Sequence, residues 1–311
     1  MKTNALAIGV SSFEYINILL SYYPRELDED FDIYIFVDSS KIKINDIKKL
    51  INSHNIKIWN NATLLDIKIL NKHYADLYNI SGKAKYMLHD HGCIFKLYAP
   101  IYLIDTFGCA KVLTSDDDVF IFKDLSPIFN TYKEFAFKKD TLFTFKTSKK
   151  YKILNGFNKI FNTNFSVDHM DSLSLNAGNI LSSRDDNMHL YFYNFLTSDV
   201  VHDMYFNHKG YISWTIEQRF QHFNLHRLKE EKRGVELFNA NDVRLIQTVG
   251  KKHPQRHLYL KTPKILHYAV GKKKTQFLKE FLPRIEWKYG FCYETKYELN
   301  NKIYIESKKL F

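Results

Sequence analysis

Three consecutive carboxylates, Asp116, Asp117 and Asp118, stand between two apolar runs, Val112–Leu113 and Val119–Phe122. Along a strand alternate side chains share a face, so Asp116 and Asp118 point one way and Asp117 the other. Two carboxylates on one face of a buried strand end repel each other unless a cation lies between them. A hard divalent ion, Mn²⁺ or Mg²⁺, suits such oxygen ligands and usually brings a phosphate with it. An acidic loop in water is the commoner fate of an Asp run, but apolar flanks on both sides favour a strand end.

Other groups could share that chemistry. His267 closes the apolar run beginning at Lys264 and is followed by Gly271 and Lys272 to Lys274. A histidine at a strand end is ordinarily packing; beside a Gly-Lys-Lys-Lys turn it makes a half-site for a metal-bound diphosphate. Asn176-Ala177-Gly178 interrupt the apolar run Ser172–Ser183. Small residues inside a strand mark either a bulge or the close approach of a ligand, and both readings stand. Lys96 is one of few charges in the apolar stretch Cys93–Gly108, either a surface lysine or one that reaches the site. Glu217-Gln218 lies beside Trp214 on a helical pattern, where such a pair is ordinarily surface.

These groups need elements to position them. Leu6–Val10, Asp32–Val37 and Ile56–Trp59 read as strands, and Tyr15–Tyr22 and Ile44–Ile51 as helices between them. This alternation predicts a mostly parallel sheet with helices on both faces. Ligands of such sheets bind at the carboxyl ends of strands, so Val10-Ser11-Ser12, Asp38-Ser39 and the three aspartates should line one crevice. No G-x-G-x-x-G follows the first strand, which speaks against a dinucleotide site. Cys93–Gly108 reads as a helix kinked at Pro100, and Asp124–Pro127 as a turn into a short helix. Thr141–Lys146 and Ser172–Ser183 read as strands, and Asp186–Asp199 and Ser213–Leu225 as helices.

The chain of 311 residues is 45% hydrophobic and 16% aromatic, enough for a sizeable core. It has no low-complexity linker or internal repeat. One domain over 1–275 with a basic, aromatic C-terminal extension over 276–311 is the simplest division. The net charge of +11 favours an anionic partner or a lysine-rich solvated surface. Three widely separated cysteines suit reduced thiols, and neither a signal-peptide pattern nor a membrane-spanning run is present. The expected location is cytoplasmic, with peripheral attachment to an anionic membrane through the extension as a further expectation.

Taken in order, these motifs resemble the GT-A nucleotide-sugar glycosyltransferases, above all glycosyltransferase family 8. KVLTSDDDVFIFKDL is similar to that family's metal strand, which implies that Asp116 and Asp118 bind metal and that Asp117 is the variable position. The resemblance implies that His267 is the third metal ligand and that Gly271 with Lys273 or Lys274 closes over the diphosphate. It implies that LNAG sets Asn176, Ala177 and Gly178 against the donor sugar, with Glu217 and Gln218 near the anomeric carbon. Lys96 stands where the family usually has Arg, Glu217 where it has Asp, and one extra residue separates His267 from Gly271. Val10 and Ser11 fall at the base-binding loop, which here lacks the family's common acidic residue.

The expected activity is therefore metal-dependent transfer of a sugar from a nucleoside-diphosphate sugar, a UDP-sugar first among them, with retention. The resemblance implies a single mixed Rossmann-like α/β sheet flanked by helices. The acceptor is a glycan, a lipid-linked sugar or a nucleic acid. Sugar transfer to a nucleic-acid base is the alternative suggested by the charge. A catalytically inactive basic binding module on the same fold is the alternative of another class.

Overall fold

The structure is a computed structural model that describes residues 3–24, 30–90, 94–139, 150–172, 175–207, 216–247, 263–269, 291–299 and 302–309. The apolar run at the start forms β1 (Asn4–Val10), and the next forms β2 (Asp32–Val37). Between them lies helix α1 (Phe13–Tyr22), which starts at Ser12, whose hydroxyl accepts from the Glu14 amide at 3.2 Å. That bond satisfies a donor the helix cannot pair internally. Helix α2 (Ile44–His54) follows.

The strand expected at Ile56–Trp59 is instead a short helix, α3 (Lys57–Asn60), and the third parallel strand is β3 (Thr63–Asp66). Ile56 and Trp59 are three residues apart and both buried, which is helical spacing; Trp59 meets the Tyr23 ring edge-on at 5.3 Å. Helices α4 (Ile67–Leu77), α5 (Gly82–Asp90) and α6 (Phe95–Phe107) lead to β4 (Lys111–Asp116). Pro100 lies inside α6, as expected. Three residues after β4 comes the short strand β5 (Val119–Ile121), then α7 (Ser126–Thr131) and β6 (Phe135–Lys139). The strand expected at 141–146 lies outside the described residues.

The second half contributes α8 (Lys150–Phe161), α9 (Val167–Asp171), β7 (Leu175–Ser183), α10 (Met188–Thr197), α11 (Asp199–Asn207) and α12 (Ile216–Glu230). Strands β8 (Val235–Leu237), β9 (Val243–Gln247) and β10 (Ile265–Ala269) follow. The last two described strands, β11 (Phe291–Leu299) and β12 (Lys302–Lys309), pair with each other antiparallel.

The main sheet has the order β3-β2-β1-β4-β7-β6-β8. Its first four strands are parallel and β7 runs against both neighbours, so the sheet is mixed, with its parallel half as read from the sequence. One face packs on α6, α8 and α12, the other on α1 and α2. A smaller sheet, β5-β10-β9, sets β10 beside the strand that follows the aspartates. Val10 pairs with Val37, Val37 with Asp66, and Gly9 with Asp116, so the carboxyl ends of four strands form one edge.

Candidate active site

β4 delivers its carboxylates to the edge in two directions. Asp116 and Asp118 meet His267 on one side, and one ligand atom from each lies within 4.8 Å of the others. His267 Nε2 is 3.1 Å from Asp118 Oδ1 and 3.8 Å from Asp116 Oδ2. Histidine reaches this place because His267 of β10 pairs with Val119 of β5, while the Tyr268 amide donates to the Asp118 carbonyl at 3.1 Å. Asp118 and His267 are buried and Asp116 is half-buried.

A glycine makes room for the ring. A Cβ at Gly178 would lie 2.1 Å from His267 Cε1 and 2.4 Å from its Nδ1. The interruption in β7 therefore lets strand backbone approach the imidazole, and the pairing of β6 with β7 shifts register at this point. Asn176 Oδ1 accepts from the Gly178 amide at 2.8 Å, which fixes the bulge from inside. Ala177 is buried in one cluster with Leu175 and Ile180.

Lys96 is buried, and its ammonium lies 2.6 Å from Asp116 Oδ1. It is placed by the start of α6, where a Cβ at Gly9 would fall 2.1 Å from the Phe95 ring. Only a glycine in β1 lets that helix end settle so close. Asp116 thus has a cation at hand in the protein itself, and the surface-lysine reading of Lys96 is excluded by its burial.

Asp117 points elsewhere. It accepts from the Ser11 amide at 2.7 Å, the Ser12 amide at 3.0 Å and the Ser11 hydroxyl at 2.9 Å. Burial, joined by the negative charge of Asp118, pushes its carboxyl up to about 7, against the lowering effect of those donors. Asp38, at the end of β2, pairs with Lys41 at 3.2 Å within its own turn. Val10 is buried and Ser11 exposed.

Glu217 and Gln218 occupy the first turn of α12. Glu217 is buried, contrary to the surface reading of that pair, and Gln218 Nε2 donates to the Leu175 carbonyl at 2.5 Å, one residue before Asn176. Gly271, Lys273 and Lys274 lie outside the described residues. Lys138 was missed by sequence reasoning. It pairs with Asn176 across β6 and β7, and burial, then the charge of Arg244, holds its amine below the usual lysine range. The alternation of FAFKK, with Lys138 two residues from the buried Ala136, was the available signal.

The donor set fits a divalent ion. Two carboxylates and an imidazole converge within ligand reach, and a side chain at Gly178 would fill the ring's place. A separate cavity of about 290 Å³ opens at the other end of β7, lined by Ile101, Asp105, Ser183, Arg184 and His189, and none of the metal-facing residues belongs to it.

No protein-family profile matches the chain, and no curated protein sequence does. Among solved structures it is similar to mouse xyloside xylosyltransferase 1 in its apo form, at 8% identity over 86% of this chain and 97% of that one, with a TM-score of 0.47. It is also similar to the galactosyltransferase LgtC in complex with donor and acceptor sugar analogues, at 12% identity over 90% and 94%, TM-score 0.46. A third is the glycosyltransferase GlyE of Streptococcus pneumoniae TIGR4, at 15% identity over 93% and 60%, TM-score 0.47. Likeness at this level leaves the reaction to be argued from the residues. Among the described residues no helix is long and apolar enough to cross a membrane.

Proposed function

We propose that this chain is a metal-dependent glycosyltransferase that moves a sugar from a nucleoside-diphosphate sugar to an acceptor with retention of configuration. The observation that carries the reading is the convergence of Asp116, Asp118 and His267 at the carboxyl edge of a parallel half-sheet. Asp116, Asp118 and His267 would hold Mn²⁺ or Mg²⁺, which supplies a Lewis acid for the departing nucleoside diphosphate. Lys96 adds positive charge beside Asp116. Gln218 fastens the first turn of α12 to β7 next to Asn176, so that Asn176, Glu217 and Gln218 serve the sugar. Ala177 and Gly178 let it approach the strand, and Gly271 with Lys273 or Lys274 serves the diphosphate. Val10 and Ser11 border the base.

Retention follows from the division of labour among the acids. Inversion needs a carboxylate base for the acceptor on the face opposite the leaving group. Here Asp116 and Asp118 serve metal and Asp117 is occupied by the β1–α1 turn. Glu217 remains, and we assign it to stabilising the positively charged sugar while a leaving-phosphate oxygen takes the acceptor proton. The complete ligand set weighs against an inactive binding module. Residues 1–275 would form the catalytic unit and 276–311 a basic extension that engages an anionic acceptor or membrane.

A thermal-shift screen of nucleoside-diphosphate sugars with and without Mn²⁺ tests the reading, because ligands that bind the folded state raise its stability. Stabilisation that requires both components is expected. Full transfer or donor-hydrolysis activity in the presence of a chelator would refute it.

A further inference from the structure

The cavity at the far end of β7 lies between α6, the last residues of that strand and the start of α10, and the proposed reaction makes no use of it. Ser182 stands well beyond Asn176 along β7, on the order of 20 Å at about 3.3 Å per residue, so the cavity and the metal-facing cluster are separate places. The cavity floor is apolar, with Pro100, Ile101 and Ile104 from α6 and Met188 from α10. Ser182 pairs with Val112, which belongs to one apolar cluster with Ile101 and Ile104, so the serine side chain shares that face. The residue is 6% exposed, and among the described residues nothing hydrogen-bonds its hydroxyl. A buried hydroxyl that lines a cavity takes its partner from whatever occupies the cavity.

The rim is polar, and its charges have partners. His189 is held at both ring nitrogens, by the Tyr78 hydroxyl at 2.6 Å and by Asp105 at 2.7 Å. Arg184 stands between two acids, with Nε 3.0 Å from Asp186 and Nη2 3.8 Å from Asp105. Asp185 pairs with the buried Arg227. An anion here would meet three carboxylates, and a cation would have to displace Arg184 from Asp105 and Asp186. A neutral polyol does neither. Each of its hydroxyls donates and accepts, which suits a rim of carboxylate oxygens and guanidinium hydrogens. A sugar ring adds a face of C–H groups for the apolar floor. The volume of about 290 Å³ lies at the lower end of the roughly 300–1,000 Å³ found for small-molecule sites, which is room for one ring. We propose that this cavity is a second carbohydrate site for a single neutral sugar unit, free or at the end of a glycan. The ring face lies on Ile101, Ile104 and Met188, and its hydroxyls meet Ser182, Asp105 and Arg184. The proposal does not depend on the nucleotide-sugar reading, because none of these residues belongs to that site.

The test is methyl NMR of the intact chain, labelled at isoleucine and methionine, titrated with glucose, galactose, xylose and N-acetylglucosamine in the absence of metal and nucleotide. At least one of them is expected to shift the methyls of Ile101, Ile104 and Met188 with a common dissociation constant of about 1–10 mM. Glucuronate and glucosamine, which carry a charge of either sign, should bind roughly fivefold or more weakly than the best neutral sugar. Ser182→Val, which exchanges the hydroxyl for a methyl and suits a strand, should weaken binding roughly tenfold. Methyl glycosides of the best sugar separate the two sources: undiminished binding of either anomer assigns the site to a glycan end, and loss with both assigns it to the free sugar. No saturable shift at these three residues with any neutral sugar overturns the proposal. So does tighter binding of a charged analogue. A Ser182→Val protein that keeps wild-type affinity, or an Arg184→Ala protein should the first fail to fold, overturns it as well.

Discussion

Replacing Gly178 by alanine should weaken metal binding out of proportion to its effect on stability. The added methyl would fall 2.1 Å from His267 Cε1, 2.4 Å from Nδ1 and 2.8 Å from Asn176 Oδ1. Carbon contacts settle near about 3.5–4.0 Å, so the imidazole must retreat by more than about an ångström. Its Nε2 now stands 3.1 Å from Asp118 Oδ1, and metal–ligand distances tolerate only about 0.2 Å. Overpacking of this kind costs about 1–3 kcal/mol of stability, whereas loss of one of three protein ligands should weaken Mn²⁺ binding by roughly a hundredfold or more. Gly156→Ala is the control, because its methyl would lie 2.6 Å from Val200 side-chain atoms in the α8–α11 packing. It should lower the unfolding midpoint by a similar amount and leave Mn²⁺ affinity unchanged. Both quantities come from denaturant unfolding and from Mn²⁺ titration followed by electron paramagnetic resonance. Wild-type Mn²⁺ affinity in folded Gly178→Ala would refute the argument that this glycine exists to seat a ligand.

Asp118→Asn should remove the Mn²⁺-dependent rise in thermal midpoint while leaving the midpoint without metal equal to or above wild type, since one of two neighbouring carboxylate charges is gone; an undiminished metal response would count against Asp118 as a ligand. Lys96→Met should lower stability without metal, because Asp116 loses an ammonium 2.6 Å away, and saturating Mn²⁺ should recover part of that loss. A variant as stable as wild type at low salt would sink the counter-ion role. Lys138→Met is expected to gain on the wild type at neutral pH. Burial and Arg244 depress the lysine's folded-state pKa, so the unfolded chain binds more protons, and wild-type stability recovers as pH rises through the folded value. Denaturant midpoints of both proteins between pH 7 and pH 10 check the sign, and a difference that moves the other way refutes it.

The sequence made the parallel half of the sheet and its reactive edge legible because both depend on neighbours along the chain. Leu6–Val10 and Asp32–Val37 are apolar runs followed by serine or aspartate, and each lies in a strand that ends where the polar residues begin, while the strand through Val112 and Leu113 runs on to Asp116. Ile56–Trp59 failed because four apolar-rich residues fit either period, and the choice was made by Trp59 packing on Tyr23. The polarity of α12 misled in a different way. The Glu217-Gln218 pair reads as surface, yet Glu217 is buried, as are Arg219, His222, His226 and Arg227 further along the helix, and Arg227 pairs with Asp185 and Glu231, the first of them 42 residues back along the chain. A longer separation in sequence hid what the middle aspartate does. Alternation along β4 says that Asp117 faces away from the metal side, and no local rule says what it faces. The answer lies 106 residues upstream, at Ser11, and comes from the pairing of β1 with β4. A strand end is thus readable one residue at a time for which way each carboxylate points, while its function depends on which loop the topology carries to it. At this edge two directions meet two environments: a cluster of donors for a metal ion on one side, and on the other a turn whose two amides and one hydroxyl are held by the middle carboxyl group.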